Sequence, residues 1–372
     1  MRLKELELRE IEMPLVAPFE TSFGRTTRRR IMIARVSDAR GVCGYGECVA
    51  MEEPFYNHET IDTAWLITTK FIAPLLAHAR IEEAAQVSRA LAPVRGNRMA
   101  IAGVETAIWD LEARLIERPL WQHLGGTQTQ IRCGVSIGLQ ATTEALIDKI
   151  RIELESGYQR IKIKIKPGKD IELLRAVRRA FPSITLSVDA NAAYRLPEDF
   201  SLLKQLDDYD LLMIEQPLAP GDLLDHAKLQ RELKTALCLD ESIVTFTDAR
   251  QAHELSACRI INIKLGRVGG YGEARKIQAF ALAHNVPVWC GGMLESGIGR
   301  AHNIALSTLP GFTLPGDVSA SARYWTEDII DPPVIVSKQG TISAPTKPGI
   351  GYEVTEARIE ALTVRQETVS LR

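Results

Sequence analysis

Five ionisable side chains recur at nearly one interval through the middle of the chain: Lys164, Asp189, Glu215, Asp240 and Lys264, with gaps of 25, 26, 25 and 24 residues. Each closes a short apolar run, as in Ile161-Lys-Ile-Lys164, Leu186-Ser-Val-Asp189, Leu212-Met-Ile-Glu215, Leu237-Cys-Leu-Asp240 and Ile261-Asn-Ile-Lys264. Three carboxylates brought together at the ends of apolar strands would repel one another and be driven to protonate. A bound divalent cation removes that penalty. Ligation by oxygen alone, without His or Cys, favours Mg2+, or Mn2+, over zinc. The lysines fit the other half of such chemistry. A carbon acid next to a carboxylate yields its proton only if the resulting enediolate is stabilised, which a cation on the carboxylate oxygens achieves. A lysine beside that carbon serves as base once its pKa falls towards neutrality, and Lys162 next to Lys164, with partial desolvation, would push it that way. Two lysines on opposite faces permit racemisation. One lysine that removes the proton and hands it to a leaving hydroxyl permits elimination. Singly, each position has a plainer use, since a strand-end Asp commonly caps a helix and a strand-end Lys is commonly solvated. Five in step are not explained that way, and a Schiff-base lysine would need no trio of carboxylates.

Each gap is the length of one strand-helix unit. Short β-rich runs lie at about 131–137, 160–166, 184–189, 211–215, 236–240, 260–264, 286–290 and 313–316, and stretches such as 142–156, 170–181, 222–235 and 270–284 have helical spacing. Eight strands joined by helices are the pattern of an α/β protein of the (β/α)8 type, a TIM barrel. No Gly-x-Gly-x-x-Gly follows a first strand, as a doubly wound dinucleotide-binding sheet would have. In a barrel all five side chains reach the C-terminal mouth. Strands three, four and five are neighbours, so Asp189, Glu215 and Asp240 converge. Strands two and six are opposite one another in a ring of eight, so Lys164 and Lys264 face each other above the cation. On strand two, Ile161, Ile163 and Ile165 alternate with Lys162, Lys164 and Lys166, and Pro167-Gly168 ends the run.

Residues 1–125 read as an α+β capping domain, with strands near 3–11, 30–37 and 42–49 and helices at about 57–77, 81–92 and 98–117. Residues 126–330 form the catalytic barrel, and the C-terminal segment 331–372 returns to the capping domain. A formal net charge of −2 gives no case for nucleic acid or an anionic membrane, and no apolar run approaches a membrane span. The six cysteines form no Cys-x-x-Cys pair and read as reduced and structural. With the charged N-terminus, they suggest a cytoplasmic protein. The partner implied is a small-molecule carboxylate substrate.

Laid out in this way, the chain resembles the enolase superfamily, and within it the muconate-lactonising-enzyme subgroup, which has one lysine on strand two and another on strand six. Mandelate-racemase-like members place a histidine with an aspartate partner at the second position, and none of the seven histidines stands there. Four segments, Ile161–Gly168, Gly291–Asn303, Leu314–Ser321 and Phe19–Gly24, resemble more closely the o-succinylbenzoate synthase / N-succinylamino-acid (N-acylamino-acid) racemase family. That resemblance implies syn dehydration of a cyclohexadiene carboxylate in menaquinone synthesis, racemisation of N-succinyl amino acids, or both. It makes Lys164 the acid/base of strand two and Lys264 its counterpart, cationic throughout the dehydration, with Lys162 beside Lys164 on the same face. Asp189, Glu215 and Asp240 become ligands of Mg2+ (or Mn2+), supported by Asn191 and Glu241.

By the same resemblance Ser136, Gly291, Met293 and Glu295 should line the pocket, and the loop from Phe19 to Phe23, with Glu52 to Tyr56, should close the mouth against water. The Gly-rich stretch 291–299 has a rival use as a phosphate cradle, against which Met293 and Leu294 speak. Arg267 would face an anionic arm of the substrate or pair on the surface; racemase-capable relatives tend to carry an arginine there. An even-numbered homo-oligomer is also implied. A dipeptide epimerase or a muconate-type cycloisomerase would share the chemistry, but an epimerase would carry an acidic pair where Leu314-Pro-Gly-Asp317 stands. A non-catalytic barrel would have no use for the five residues together.

Overall fold

The computed structural model describes residues 1–21, 24–168 and 170–371. Strands Leu3–Glu20, Arg25–Asp38 and Cys43–Cys48 form an antiparallel meander, and the last strand of the chain, Thr363–Ser370, pairs antiparallel with the first. Leu6, Leu8, Met32, Ala34 and Val36 share one face by register and are fully buried. Helix Arg98–Leu115 lies on that face. It can lie close because the third strand reads Cys43-Gly-Tyr-Gly-Glu-Cys48. A Cβ on Gly44 or Gly46 would come within 2.2 Å of the carbonyl oxygen of Ala107 or Gly103. The helix starts at left-handed Asn97, and the buried Glu59 carboxylate accepts from the N–H groups of Met99 (2.9 Å) and Ala100 (3.2 Å).

The second sheet is parallel and runs in sequence order: Gly134–Ile137, Arg160–Lys164, Leu186–Asp189, Ile214–Glu215, Leu237–Leu239, Ile260–Ile263 and Val288–Cys290, referred to below as barrel strands one to seven. Helices over Thr143–Glu155, Asp170–Ala180, Leu223–Glu232 and Tyr271–Ala283 fall where the spacing puts them. An eighth strand at 313–316 is expected from the sequence, and this is where the structure differs. Among the described residues, segment 312–317 closes the ring through isolated bridges, Val288 to Phe312 and Cys133 to Gly316, with Asp317 N–H donating to Cys290 O at 2.8 Å. Pro315 has no N–H to give a ladder, and closure is made by bonds flanking it, from Val288 N–H to Gly311 O before it and, after it, from Gly134 N–H to Gly316 O, Gly316 N–H to Arg132 O and Asp317 N–H to Cys290 O.

The capping domain is joined to the barrel through buried carboxylates. Glu105, on the long helix, accepts from the N–H groups of Tyr271 and Gly272 at the start of the helix after strand six, and from Ser88 Oγ at 2.9 Å. All six cysteines are free thiols, five of them buried. Among the described residues, no helix is long and apolar enough to cross a membrane.

Candidate active site

Parallel register brings the spaced residues to one end of the barrel. Lys164 pairs with Asp189 and Asp189 with Glu215, while Asp240 and Lys264 lie immediately after strands five and six. Inward alternation places Lys162 one step below Lys164, and both are buried, as are Asp189, Glu215, Asp240 and Lys264. Of the three alternating lysines only Lys166 is solvated, exposed beyond the strand end.

Each carboxylate meets a cation. Lys164 Nζ lies 2.6 Å from Asp189 Oδ2 and 2.6 Å from Asn191 Oδ1. Lys264 Nζ lies 2.7 Å from Asp240 Oδ2, whose other oxygen accepts from Arg267 and, at 3.0 Å, from Tyr56 Oη. Lys162 Nζ reaches Glu215 Oε2 at 2.6 Å, Asp317 Oδ2 at 2.8 Å and Asp189 Oδ2 at 3.3 Å, and sits 4.8 Å over the Trp289 ring. Asn262 Nδ2 donates to Glu215 Oε1 at 2.7 Å. The sequence reading gives Lys162 the task of lowering the pKa of Lys164; in the structure its charge is taken up by three carboxylates.

The electrostatics report the crowding. Burial pushes the Glu215 carboxyl up to about 8, with Asp189 and Asp240 adding repulsion. Burial acts against Asp189 and Asp240 too, but Lys164 and Lys162 hold the first below the usual carboxylate range, and Lys264 and Arg267 hold the second there. Burial would lower Lys264, yet facing Asp240 raises it above an ordinary lysine. Glu241, next to Asp240, is pushed up to about 7 by burial and then by Asp240 and Asp189. Its Oε1 accepts from Asn191 at 3.0 Å, and its Oε2 is buried without a hydrogen-bond partner.

Whether this set suits a divalent cation turns on its donors. As they stand, no three His, Cys, Asp or Glu side chains among the described residues are gathered into an ion cage, because each carboxylate is drawn to its own cation. The donors nevertheless suit one: three buried carboxylates from consecutive strands that repel each other, and an orphaned oxygen on Glu241.

A cavity opens above these groups. Lys162, Lys164, Asp189, Asn191 and Lys264 line its floor, and Ser136, Met293, Phe19 and Tyr56 contribute walls as the sequence suggests. Phe19 meets Tyr324 edge-on at 6.4 Å. Phe23 lies outside the described residues. Three expected residues are placed elsewhere. Gly291 sits behind Lys264, where a Cβ would come 2.6 Å from the lysine Cε, so its smallness makes room for the lysine. Glu295 folds its own loop, accepting from Met293 N–H at 2.8 Å and Asn303 Nδ2 at 2.9 Å. Arg267 is buried against Asp240 and Ile243 O, neither on the surface nor lining the cavity. Glu241 lies behind Asn191.

Asp317, Tyr324 and Gln216 are additions. Asp317 bridges Lys162 and Arg160, each at 2.8 Å, and both hold it well below the usual carboxylate range although burial opposes. Gln216 accepts at Oε1 from Asp240 N–H at 3.0 Å and fixes that residue's backbone. The phosphate use of 291–299 falls for a physical reason. Ser296 N–H and Gly299 N–H donate to Glu47, and Gly297 N–H donates to Asp328, so carboxylates already stand where a phosphate would bind.

A capped barrel with lysines on strands two and six and acidic side chains ending strands three to five defines a class of enzyme. The chain belongs to the enolase superfamily: residues 4–125 match the mandelate racemase / muconate lactonizing enzyme N-terminal domain, and residues 145–358 match the enolase C-terminal domain-like family. Members of this superfamily generally use a divalent metal. The chain is 50% identical to an o-succinylbenzoate synthase of Geobacillus kaustophilus over 356 residues, 96% of this chain and 94% of the relative. It is 47% identical to an N-succinylamino acid racemase of Thermus thermophilus over the full length of both. A crystal structure of an enolase-superfamily member from Listeria innocua superposes over all of both chains with a TM-score of 0.96 and 44% identity.

Proposed function

We propose that this enzyme removes the proton α to a substrate carboxylate and acts both as an o-succinylbenzoate synthase and as an N-succinylamino-acid racemase. The observation that carries the proposal is that Lys164 and Lys264, from strands two and six, line one cavity with Asp189 beneath it. Relatives bearing each of the two names match at nearly equal identity, which supports a dual activity. Asp189, Glu215 and Asp240 would hold Mg2+ or Mn2+, which supplies positive charge where negative charge builds on the substrate carboxylate. Lys164, as the free amine, takes the α-proton. In dehydration it returns that proton to the leaving hydroxyl on the same face, so that C–H and C–O bonds break, a C=C bond forms and water departs. Lys264 stays cationic beside the enediolate. In racemisation Lys264 delivers a proton to the opposite face, and each lysine serves one enantiomer. Asn191 orients the Lys164 ammonium, and Phe19, Tyr56 and Tyr324 keep water from the intermediate.

Asp317 speaks against a dipeptide epimerase. Its carboxylate is already neutralised by Arg160 and Lys162 and has little charge left for a substrate ammonium. On the family resemblance we further assign the dehydration to menaquinone synthesis in the cytoplasm, and the enzyme to an even-numbered homo-oligomer. Residues 1–125 and 331–372 are the capping domain, and 126–330 the catalytic barrel. Assaying dehydration and N-succinyl amino-acid racemisation on one preparation tests the function. Turnover in both is expected; turnover in neither would sink it.

A further inference from the structure

Segment 291–299 follows barrel strand seven and supplies Gly292, Met293 and Leu294 to the cavity. Leu294 stands in the left-handed region at φ 59°, which a side chain with a Cβ does not adopt without support. Part of the support is local. The Glu295 carboxylate accepts from Met293 N–H, and the Glu295 carbonyl accepts from Trp325 Nε1 at 3.0 Å and Arg300 Nη2 at 2.9 Å.

The rest comes from the other domain. Glu47, on the third strand of the capping sheet, accepts from Ser296 N–H at 3.1 Å, Ser296 Oγ at 2.5 Å and Gly299 N–H at 2.9 Å. The glycine at 299 makes room for it, since a Cβ there would lie 2.7 Å from Glu47 Oε2. An ordinary helix cap is supplied by the helix's own first residue, and Ser296 already fills that role with Ile298 N–H. Glu47 is therefore an added anchor, some 250 residues away in the chain.

We propose that Glu47 is a positioning residue: by pinning Ser296 and Gly299 from the capping sheet, it sets where Met293 and Leu294 stand in the cavity and hence which substrate side chain fits. Removing it leaves two buried N–H groups unpaired and frees a strained turn to relax, which displaces Leu294. The inference rests on the proposed function for its choice of substrate, but not for its structural half.

The test uses the full chain as Glu47→Gln, which keeps the size and one carbonyl oxygen, and as Glu47→Ala. Amide hydrogen exchange is measured over 291–299, and kcat and KM are measured for N-succinyl amino acids with a small and a large side chain. Faster exchange confined to this segment is expected, with barrel strand two unchanged and Gln milder than Ala. The small-to-large preference should shift by about tenfold, mainly through KM. A folded variant with a lower melting temperature but native exchange and native preference would overturn the proposal, leaving Glu47 a mere cap. If the wild type turns over none of these substrates, the functional reading fails separately. The exchange measurement then judges Glu47 alone, with unchanged rates overturning it.

Discussion

Lys162 reaches across barrel strand three to place its ammonium 2.6 Å from Glu215 Oε2, while Lys164, two residues on, turns to Asp189 and the cavity. Two lysines on one strand face thus have different work. The first balances charge inside the barrel, and the second is the one proposed to act on the substrate. Lys162→Met should leave Glu215 and Asp317 as under-compensated buried carboxylates and destabilise the fold by about 3–5 kcal/mol. Urea unfolding measures this. A loss below about 1 kcal/mol, the scale of an exposed pair, would show that Lys162 is dispensable to the charge balance.

Lys164→Ala should abolish exchange of the α-proton with deuterated solvent for the enantiomer that Lys164 serves, a loss of at least about a thousandfold for a general base at the reacting carbon, while the enantiomer facing Lys264 can still exchange. The fold should persist, because Asp189 keeps Lys162 at 3.3 Å. Lys264→Ala should block racemisation while sparing part of the dehydration, which keeps its proton carrier on the Lys164 face and loses only the cation beside the enediolate. NMR in D2O follows each enantiomer separately. Undiminished exchange of the enantiomer that Lys164 serves in Lys164→Ala would remove the base assignment.

Chelation gives a third outcome. EDTA should silence the enzyme, and Mg2+ or Mn2+ should restore it. Independently of turnover, Mg2+ should raise the melting temperature by mass action, because it relieves carboxylate repulsion in the folded chain alone. That rise should vanish in Asp189→Asn. A melting temperature indifferent to both EDTA and Mg2+ would argue against a cation at this place.

Much of this was legible in the sequence because it rests on period. Strand alternation and the near-constant gaps, one strand-helix unit each, put Lys164, Asp189, Asn191 and Lys264 around one cavity with Glu215 and Asp240 beneath it. What was not legible depends on contacts between remote segments, to which periodicity is blind. Arg267 turns inward because Asp240 and two backbone carbonyls attract its guanidinium. Glu295 looks like a pocket residue by position, but it is consumed by the turn it makes possible. Asp317 ends the segment Leu314-Pro-Gly-Asp317, and only closure of the ring shows that Arg160 and Lys162 are its partners. Glu47 and Glu105 gave no signal, since a buried glutamate cannot be told from a surface one until the helix start it caps is known.

Glu105 supplies the last prediction. Its carboxyl is pushed up to about 7 by burial, although Gly272, Ser88 and Tyr271 donate to it and pull the other way. A carboxyl whose folded-state pKa lies above its ordinary value of 4.5 favours folding in its neutral form. That contribution is complete below the ordinary value and is lost as pH rises through about 7. The wild type should therefore lose up to about 3 kcal/mol from this one group between mildly acidic and mildly alkaline pH. Glu105→Gln, which cannot ionise, should lack that component and show a flatter dependence of the urea midpoint on pH. The comparison isolates Glu105, because Glu47, also raised to about 7 by burial, is common to both proteins. Parallel curves for wild type and variant would mean that the N–H groups around Glu105 fully offset its burial, and that it is charged throughout the range.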